Sequence, residues 1–413
     1  MHRFITRQPI LDRFERVNGY ELLFRPGEED IWVTRSGTPA GTEASSVTPG
    51  FAGLEELIDG TRAFIKCPRQ ALIEGRAAGL PHDQVVLEIP AAGEPDAAII
   101  KACREFKEAG FTVALENLPA LGENPLVEFA GIVKLDVTAS ADRAQWLLIR
   151  KYRPKGTVFI ADKVETRAQF QAAVQQGYSY FQGQFFLRVA PCSASEVAPT
   201  KLVYLLVLAA VTRAEIDLDE VARTIKHDLA LSYKLLRFLN SARFALHSQV
   251  RSIHHALLLL GENELRKWIG LISVAAMGEG GPPILVTMAL IRAAFCESFA
   301  ALVGEPKRQP DCFFLGLLSS IDVLLRRPMR VILGELPIAD DVSAALQGDK
   351  SPMRDVLETV LNYERGDWDE CARMAKKLAL KEETLCKLHL RALRWGSELT
   401  HAQEDEPTEV KCS

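Results

Sequence analysis

The chain has 413 residues, 48% hydrophobic and 25% charged, with a formal net charge of −5 and a pI near 6.0. That is an ordinary globular composition, long enough for two domains with their own cores, and its mild acidity argues against bulk nucleic acid as a partner. The eight cysteines (Cys67, Cys103, Cys192, Cys296, Cys312, Cys371, Cys386 and Cys412) form no CxxC pair or short zinc-type cluster. They read as reduced thiols in a cytoplasmic protein without a signal peptide. The longest apolar runs, such as KLVYLLVLAAV (201–211), are expected to be too short for a bilayer, so no membrane partner is expected.

In chain order, the first half alternates short apolar runs with helical stretches. Strands are predicted at RFITRQPI (3–10), VNGYELLF (17–24), AFIKC (63–67), QVVLEI (84–89), FTVALE (111–116), GIVKLDV (131–137), TVFIADK (157–163) and YFQGQFF (180–186). Helices are predicted between them, at DAAIIKACREFKEAG (96–110) and at TRAQFQAAVQQG (166–177), which ends on a glycine stop. This alternation predicts a parallel sheet closed as a compact β/α barrel, with the site at the C-terminal ends of the strands. The stretch VAPCSASEVAPTK (189–201) reads as a linker. Beyond it, apolar spacing of i, i+3, i+4 and i+7 in 217–244 and 252–277 predicts helices, and the polar tail HAQEDEPTEVKCS (401–413) reads as frayed. The fold class is therefore α/β plus all-α, with domains at 1–192 and 193–413.

Two stretches carry a family resemblance. RQPILDRFERVNGYELLFR (7–25) resembles the opening of EAL domains, the bacterial cyclic di-GMP phosphodiesterases. LLRFLNSARF (235–244) followed by SIHHALLLLG (252–261) resembles the HDOD module, a helical relative of the HD hydrolases. Together they resemble a bacterial family of two-domain EAL–HDOD signalling proteins. Active EAL enzymes hold magnesium or manganese on carboxylates, because hard cations take oxygen ligands.

The resemblance carries roles onto individual residues. Glu21, in YELLF, matches the signature glutamate; Gln8 and Arg25 match positions that hold the dinucleotide. Lys66, in FIKC, stands where an asparagine ligand is expected, and an ammonium has no lone pair for a cation. Glu88 matches the next carboxylate, whereas Ala91 replaces a loop glutamate. An Asp-Asp-Phe-Gly motif reads Glu116, Asn117, Leu118, Pro119 here. Lys134 and Asp136 match a Lys and Asp pair; Asp162 stands shortened at the general base, and Glu165 and Gln182 are retained. In the second half, Ser319 and Ser320 occupy the place of the His-Asp pair.

Taken together, these losses imply a non-catalytic EAL–HDOD adaptor, not an enzyme, acting on signalling proteins in trans and holding no cofactor. Two alternatives stand beside it: a receptor that binds cyclic di-GMP without cleaving it, and a working phosphodiesterase. Lys66 is expected to sit among Glu21, Glu88 and Glu116 as their counter-ion. His227-Asp228 is expected to be a helix cap rather than a metal pair, His254 and His255 to be surface or packing residues, and Cys67 a small buried hydrophobe.

Overall fold

A computed structural model describes residues 5–25, 54–91, 95–116, 118, 124–139, 142–188, 199–213, 215–228, 231–235, 253–302 and 306–404. The predicted site positions Asn117 and Pro119, most of the linker, and most of the 235–252 signature lie outside the described residues.

Eight strands close into a barrel in chain order: β1 (Ile5–Asp12), β2 (Val17–Phe24), β3 (Arg62–Lys66), β4 (Val85–Pro90), β5 (Thr112–Glu116), β6 (Ile132–Asp136), β7 (Val158–Asp162) and β8 (Tyr180–Gln182). The expected all-parallel sheet needs one correction: β1 runs antiparallel to both β2 and β8, and the remaining pairings are parallel. The cause is local. Only four residues separate β1 from β2, enough for a hairpin but not for a crossover. Asp12 fixes that turn by accepting hydrogen bonds from the Phe14 and Arg16 amides at 2.7 and 2.9 Å. Between later strands lie α1 (Leu54–Ile58), α2 (Arg69–Ile73), α3 (Ala97–Glu108), α4 (Asp142–Tyr152) and α5 (Arg167–Gln176). Asp96 caps α3 by accepting from Ala98 and Ile99, and Thr166 with Gln169 forms a capping box on α5.

Strand side chains alternate between two faces, and this period builds the barrel interior in layers. Ile10, Phe64, Val86, Ala114, Ile132 and Ile160 pack together as one buried hydrophobic layer. Two residues further toward the mouth on each strand, the same face carries Gln8, Lys66, Glu88, Glu116, Lys134 and Asp162. The odd members of β4, Val85, Leu87 and Ile89, are buried on the opposite face. A hydrophobic floor thus supports a charged layer at the C-terminal strand ends. Gly183, just after β8, must remain glycine. Its φ is 142°, and a Cβ there would lie 2.1 Å from the Val164 carbonyl oxygen.

The chain separates into two compact units, and the division differs from the expected 1–192 and 193–413. The barrel unit comprises Met1–Arg188 together with Asn362–Ala372 and Glu382–Ser397, while the remaining segments form the second unit. The C-terminal segments join the barrel because they carry bulky apolar side chains to bury. Tyr363 is fully buried, donates to the Ile5 carbonyl at 3.3 Å, and stacks edge-on with Trp368. Trp368 therefore packs rather than stacks on a ligand.

The second unit is helical throughout its described residues, beginning with α6 (Pro199–Thr212) and α7 (Leu218–Lys226). The helix Pro283–Leu302 contradicts the expectation that no run could span a bilayer. Its window Pro283–Ala300 is 18 residues long with a mean hydropathy of 1.5, and 67% of that window is buried within the unit. That burial comes from close packing against Gln309–Leu317. At Gly316 a Cβ would fall 2.2 Å from the Arg292 carbonyl oxygen, so the two helices approach backbone to backbone. Asp228 caps the next helical turn, accepting from the Leu231 amide at 2.8 Å.

Candidate functional site

Lys134 lies at the centre of the charged layer. Its Nζ is 2.5 Å from Glu21 Oε2, 3.2 Å from Glu116 Oε1 and 3.3 Å from Glu88 Oε1, and its side chain is only 3% exposed. These four side chains come from β2, β4, β5 and β6. Two of the strand pairings set charged residues side by side, Lys66 opposite Glu88 and Glu116 opposite Lys134, and closure of the barrel brings Glu21 of β2 to the same cluster. Lys66 approaches from above, with Nζ 3.2 Å from Glu21 Oε1 and 3.7 Å from Glu116 Oε1, and its side chain is 57% exposed. The expected counter-ion role is therefore divided. The buried Lys134 serves all three glutamates, and the exposed Lys66 serves Glu21 and Glu116. Sequence reading missed the central place of Lys134 because only the closed barrel brings β6 across to β2.

The remaining predicted residues fall around this cluster. Gln182 donates to Glu21 Oε2 at 2.6 Å and to Gln8 Oε1 at 3.3 Å, placing Gln8 beside the cluster. Asp162 is half-buried at the mouth end of β7 and Asp136 pairs with Lys163 at 2.6 Å. Glu165 is exposed, 3.4 Å from Arg188. Arg25, expected to face a dinucleotide, is ion-paired with Glu382 of the helix Glu382–Glu404. Lys163, Arg188 and Glu382 were not singled out in the sequence; Lys163 alone was within reach, since it lies beside Asp162 in ADKVE. Ala91 and Cys67 are buried apolar neighbours, and burial pushes the Cys67 thiol up to about 12.

The electrostatics shows which charges are compensated. Burial would raise the Glu21 carboxyl, but Lys134, Lys66 and the Gln182 amide outweigh it and hold it down at about 2. Glu88 goes the other way: complete burial, then the neighbouring Glu21 charge, raises it well above the usual carboxylate range. Burial also raises Asp162. Lys134 is raised well above its usual value, its desolvation being exceeded by the surrounding glutamates. In this inward layer four carboxylates, Glu21, Glu88, Glu116 and Asp162, face two ammoniums, Lys66 and Lys134, a formal charge of −2. Raised carboxyls are what uncompensated negative charge in a poorly solvated place produces.

The chemistry of the donor set fits one hard divalent cation, which would share the three carboxylates with the Lys134 ammonium. One oxygen each from Glu21, Glu88 and Glu116 lies within 4.8 Å of the others, and all three residues are buried. Glu88 Oε2 is fully buried and has no hydrogen-bond donor among the described residues, an acceptor that a cation would satisfy. In the helical unit the place of the expected His-Asp pair is different. Arg292, 4% exposed, donates to Ser320 Oγ at 2.6 Å and Ser319 Oγ at 3.2 Å. A fixed guanidinium there opposes a metal ion. His254 lies on the surface, 3.4 Å from Asp219.

A β/α barrel with carboxylates at its mouth, followed by a helical unit, defines a two-domain protein of EAL–HDOD type. The HDOD domain family matches residues 198–329. YuxH of Bacillus subtilis (strain 168), described as an uncharacterized protein, is 32% identical over 413 residues, covering 98% of this chain and 100% of its own length. The cyclic di-GMP phosphodiesterase CdgJ of Vibrio cholerae is 29% identical over 402 residues, 96% of this chain and 93% of its own. The chain belongs to this EAL–HDOD family.

Among solved structures, the Bacillus subtilis YkuI protein, in complex with cyclic di-GMP and calcium, matches at 14% identity and a TM-score of 0.33, covering 55% of this chain and 72% of that one. Klebsiella pneumoniae BlrP1, as a manganese and cyclic di-GMP complex, matches at 20% identity and a TM-score of 0.33, covering 44% and 55%.

CdgJ overturns the expectation that the chain is not an enzyme, since a relative aligned over almost the whole length is named as a phosphodiesterase. Counting substituted ligands one by one led to that expectation. The fold instead gathers the surviving carboxylates Glu21, Glu88 and Glu116 into a single cluster.

Proposed function

We propose that the chain is a cytoplasmic, divalent-cation-dependent phosphodiesterase of cyclic di-GMP signalling, with the helical unit engaging signalling proteins in trans. The observation that carries this reading is the buried carboxylate trio at the C-terminal strand ends, with Glu88 Oε2 unsatisfied among the described residues and four carboxyl groups facing two ammoniums. In such barrels this end of the strands is where chemistry is placed. Glu21, Glu88 and Glu116 would hold the cation, which when bound polarises a phosphodiester oxygen and lowers the pKa of a water.

The chain's own residues have separate tasks. Lys134, buried and held by three glutamates, fixes their carboxylates in register and places a permanent positive charge beside the reacting phosphate. Gln182 orients Glu21 by its 2.6 Å hydrogen bond and ties Gln8 into the same network. Asp162, with its carboxyl raised by burial, is the side chain of this layer that would accept or return a proton. The hydrophobic layer of Ile10, Phe64, Val86, Ala114, Ile132 and Ile160 seals the barrel below the site, so water and substrate enter only from the mouth.

The test is hydrolysis of cyclic di-GMP by the purified full-length chain with magnesium or manganese, followed by chromatography of the products. Cation-dependent formation of linear dinucleotide, abolished by Glu21→Gln, supports the proposal. Intact dinucleotide under every cation condition refutes it.

A further inference from the structure

The two ammoniums of the charged layer are not equivalent. Lys134 is 3% exposed and tied to three glutamates, so it cannot leave without stranding them. Lys66 is 57% exposed, pairs with Glu21 and Glu116 at 3.2 and 3.7 Å, and ends β3 at the rim. Its long stem allows the ammonium to swing into solvent at small energetic cost, because partly exposed ion pairs are weak. The oxygens it holds, Glu21 Oε1 and Glu116 Oε1, belong to two of the three carboxylates that can take a cation.

We propose that Lys66 is a built-in competitor for the divalent cation, which must displace its ammonium from Glu21 and Glu116 to bind. This rests on the reading of the carboxylate trio given above. While Lys66 stays down, it lends the layer one positive charge and lowers its attraction for free cations. A cation arriving alone must expel that charge into water. A phosphodiester arriving together with the cation offers the displaced ammonium an anion at the same rim. Cation and phosphodiester therefore strengthen each other's binding through Lys66, a coupling that is reciprocal by linkage. Lys66 is thus a specificity-determining residue for when the site loads.

The experiment is titration of the full-length protein with Mn²⁺, free Mn²⁺ being read by electron paramagnetic resonance. It is run with and without a non-hydrolysable phosphorothioate analogue of cyclic di-GMP. Wild type, Lys66→Ala and Lys66→Arg are compared, each first checked for the wild-type circular dichroism spectrum and melting temperature. Lys66→Ala should bind Mn²⁺ roughly 5- to 150-fold more tightly than wild type in the absence of the analogue, the ordinary range of a coupling between sites. The analogue should tighten Mn²⁺ binding to wild type and lose that effect in Lys66→Ala. Lys66→Arg keeps the charge and should stay close to wild type. Equal Mn²⁺ affinity in wild type and Lys66→Ala overturns the competitor role and leaves the carboxylate trio standing. Absence of Mn²⁺ binding in both overturns the trio reading and this inference together.

Discussion

Lys134→Met removes the ammonium on which the barrel mouth depends and keeps most of the stem's volume. Holding the Glu21 carboxyl at about 2, against a usual 4.5, corresponds to roughly 3 kcal/mol in favour of its ionised form. Lys134 supplies the larger share of that, being nearer than Lys66 and buried. The variant also leaves Glu116 with only the longer Lys66 contact and, among the described residues, removes the ammonium bonded to Glu88. Breaking a buried ion pair by removing one partner costs about 3–5 kcal/mol, and that is the expected loss at pH 7.5. The sign with pH follows from linkage. In the wild type, Glu21 has a depressed pKa, so its contribution is full above 4.5 and is lost as pH falls toward 2. In the variant, burial is no longer opposed by Lys134, and the stranded carboxylates bind protons more readily than in the unfolded chain. The cost should therefore shrink between pH 7.5 and 5. Two units unfolding separately would blur a global transition. Hydrogen exchange of peptides covering β4 and β6 in rising urea localises the loss to the barrel. A loss under about 1 kcal/mol, or one that does not change between the two pH values, would refute the placement of Lys134 as the central counter-ion.

Other expectations concern the supports around the site. His389, buried in the barrel unit against Tyr363, has its imidazole lowered by burial from 6.5 to about 3. Its neutral form is the folded form, so stability is full above 6.5 and falls as pH drops toward 3, by about 2 kcal/mol at pH 5. His389→Phe should flatten the dependence of melting temperature on pH between 7 and 5; an unchanged slope would show that His389 is not the group responsible. Gly183→Ala places a Cβ 2.1 Å from the Val164 carbonyl at a φ of 142° and should cost about 3 kcal/mol or more, measured by urea denaturation. Glu382→Gln removes the partly exposed partner of Arg25 and should cost under about 1 kcal/mol in stability. If Arg25 serves the dinucleotide, the same variant should tighten cyclic di-GMP binding in calorimetry, and weaker binding would show that the pair positions Arg25 productively.

Much of the barrel was legible because its period is simple. Short apolar runs such as QVVLEI (84–89) and GIVKLDV (131–137), alternating with helical stretches, already predict the strands of a closed β/α barrel. Glu21, Glu88, Glu116, Lys134 and Gln182 could be named from the sequence because the EAL resemblance carries site roles onto each of them. Their mutual distances could not, since closure sets which strands face each other across the mouth. The direction of β1 was lost to the prior for parallel sheets, although the four-residue spacing before β2 encoded it. Nor could helix periodicity show that Asn362–Ala372 and Glu382–Ser397 belong with the barrel. An amphipathic helix shows that it has an apolar face, not which core that face joins. The error about activity came from the same place. Lost ligands can be counted in a sequence, but compensation among the survivors is a property of the folded layer.

The most direct test of the central claim is a crystal of the full-length protein soaked in Mn²⁺ and measured at the manganese absorption edge. An anomalous peak is expected within coordination distance of Glu21, Glu88 and Glu116, with Glu88 Oε2 among its ligands and the Lys66 ammonium displaced. A carboxylate layer with no anomalous peak, and Lys66 still paired to Glu21 and Glu116 at saturating Mn²⁺, would contradict it.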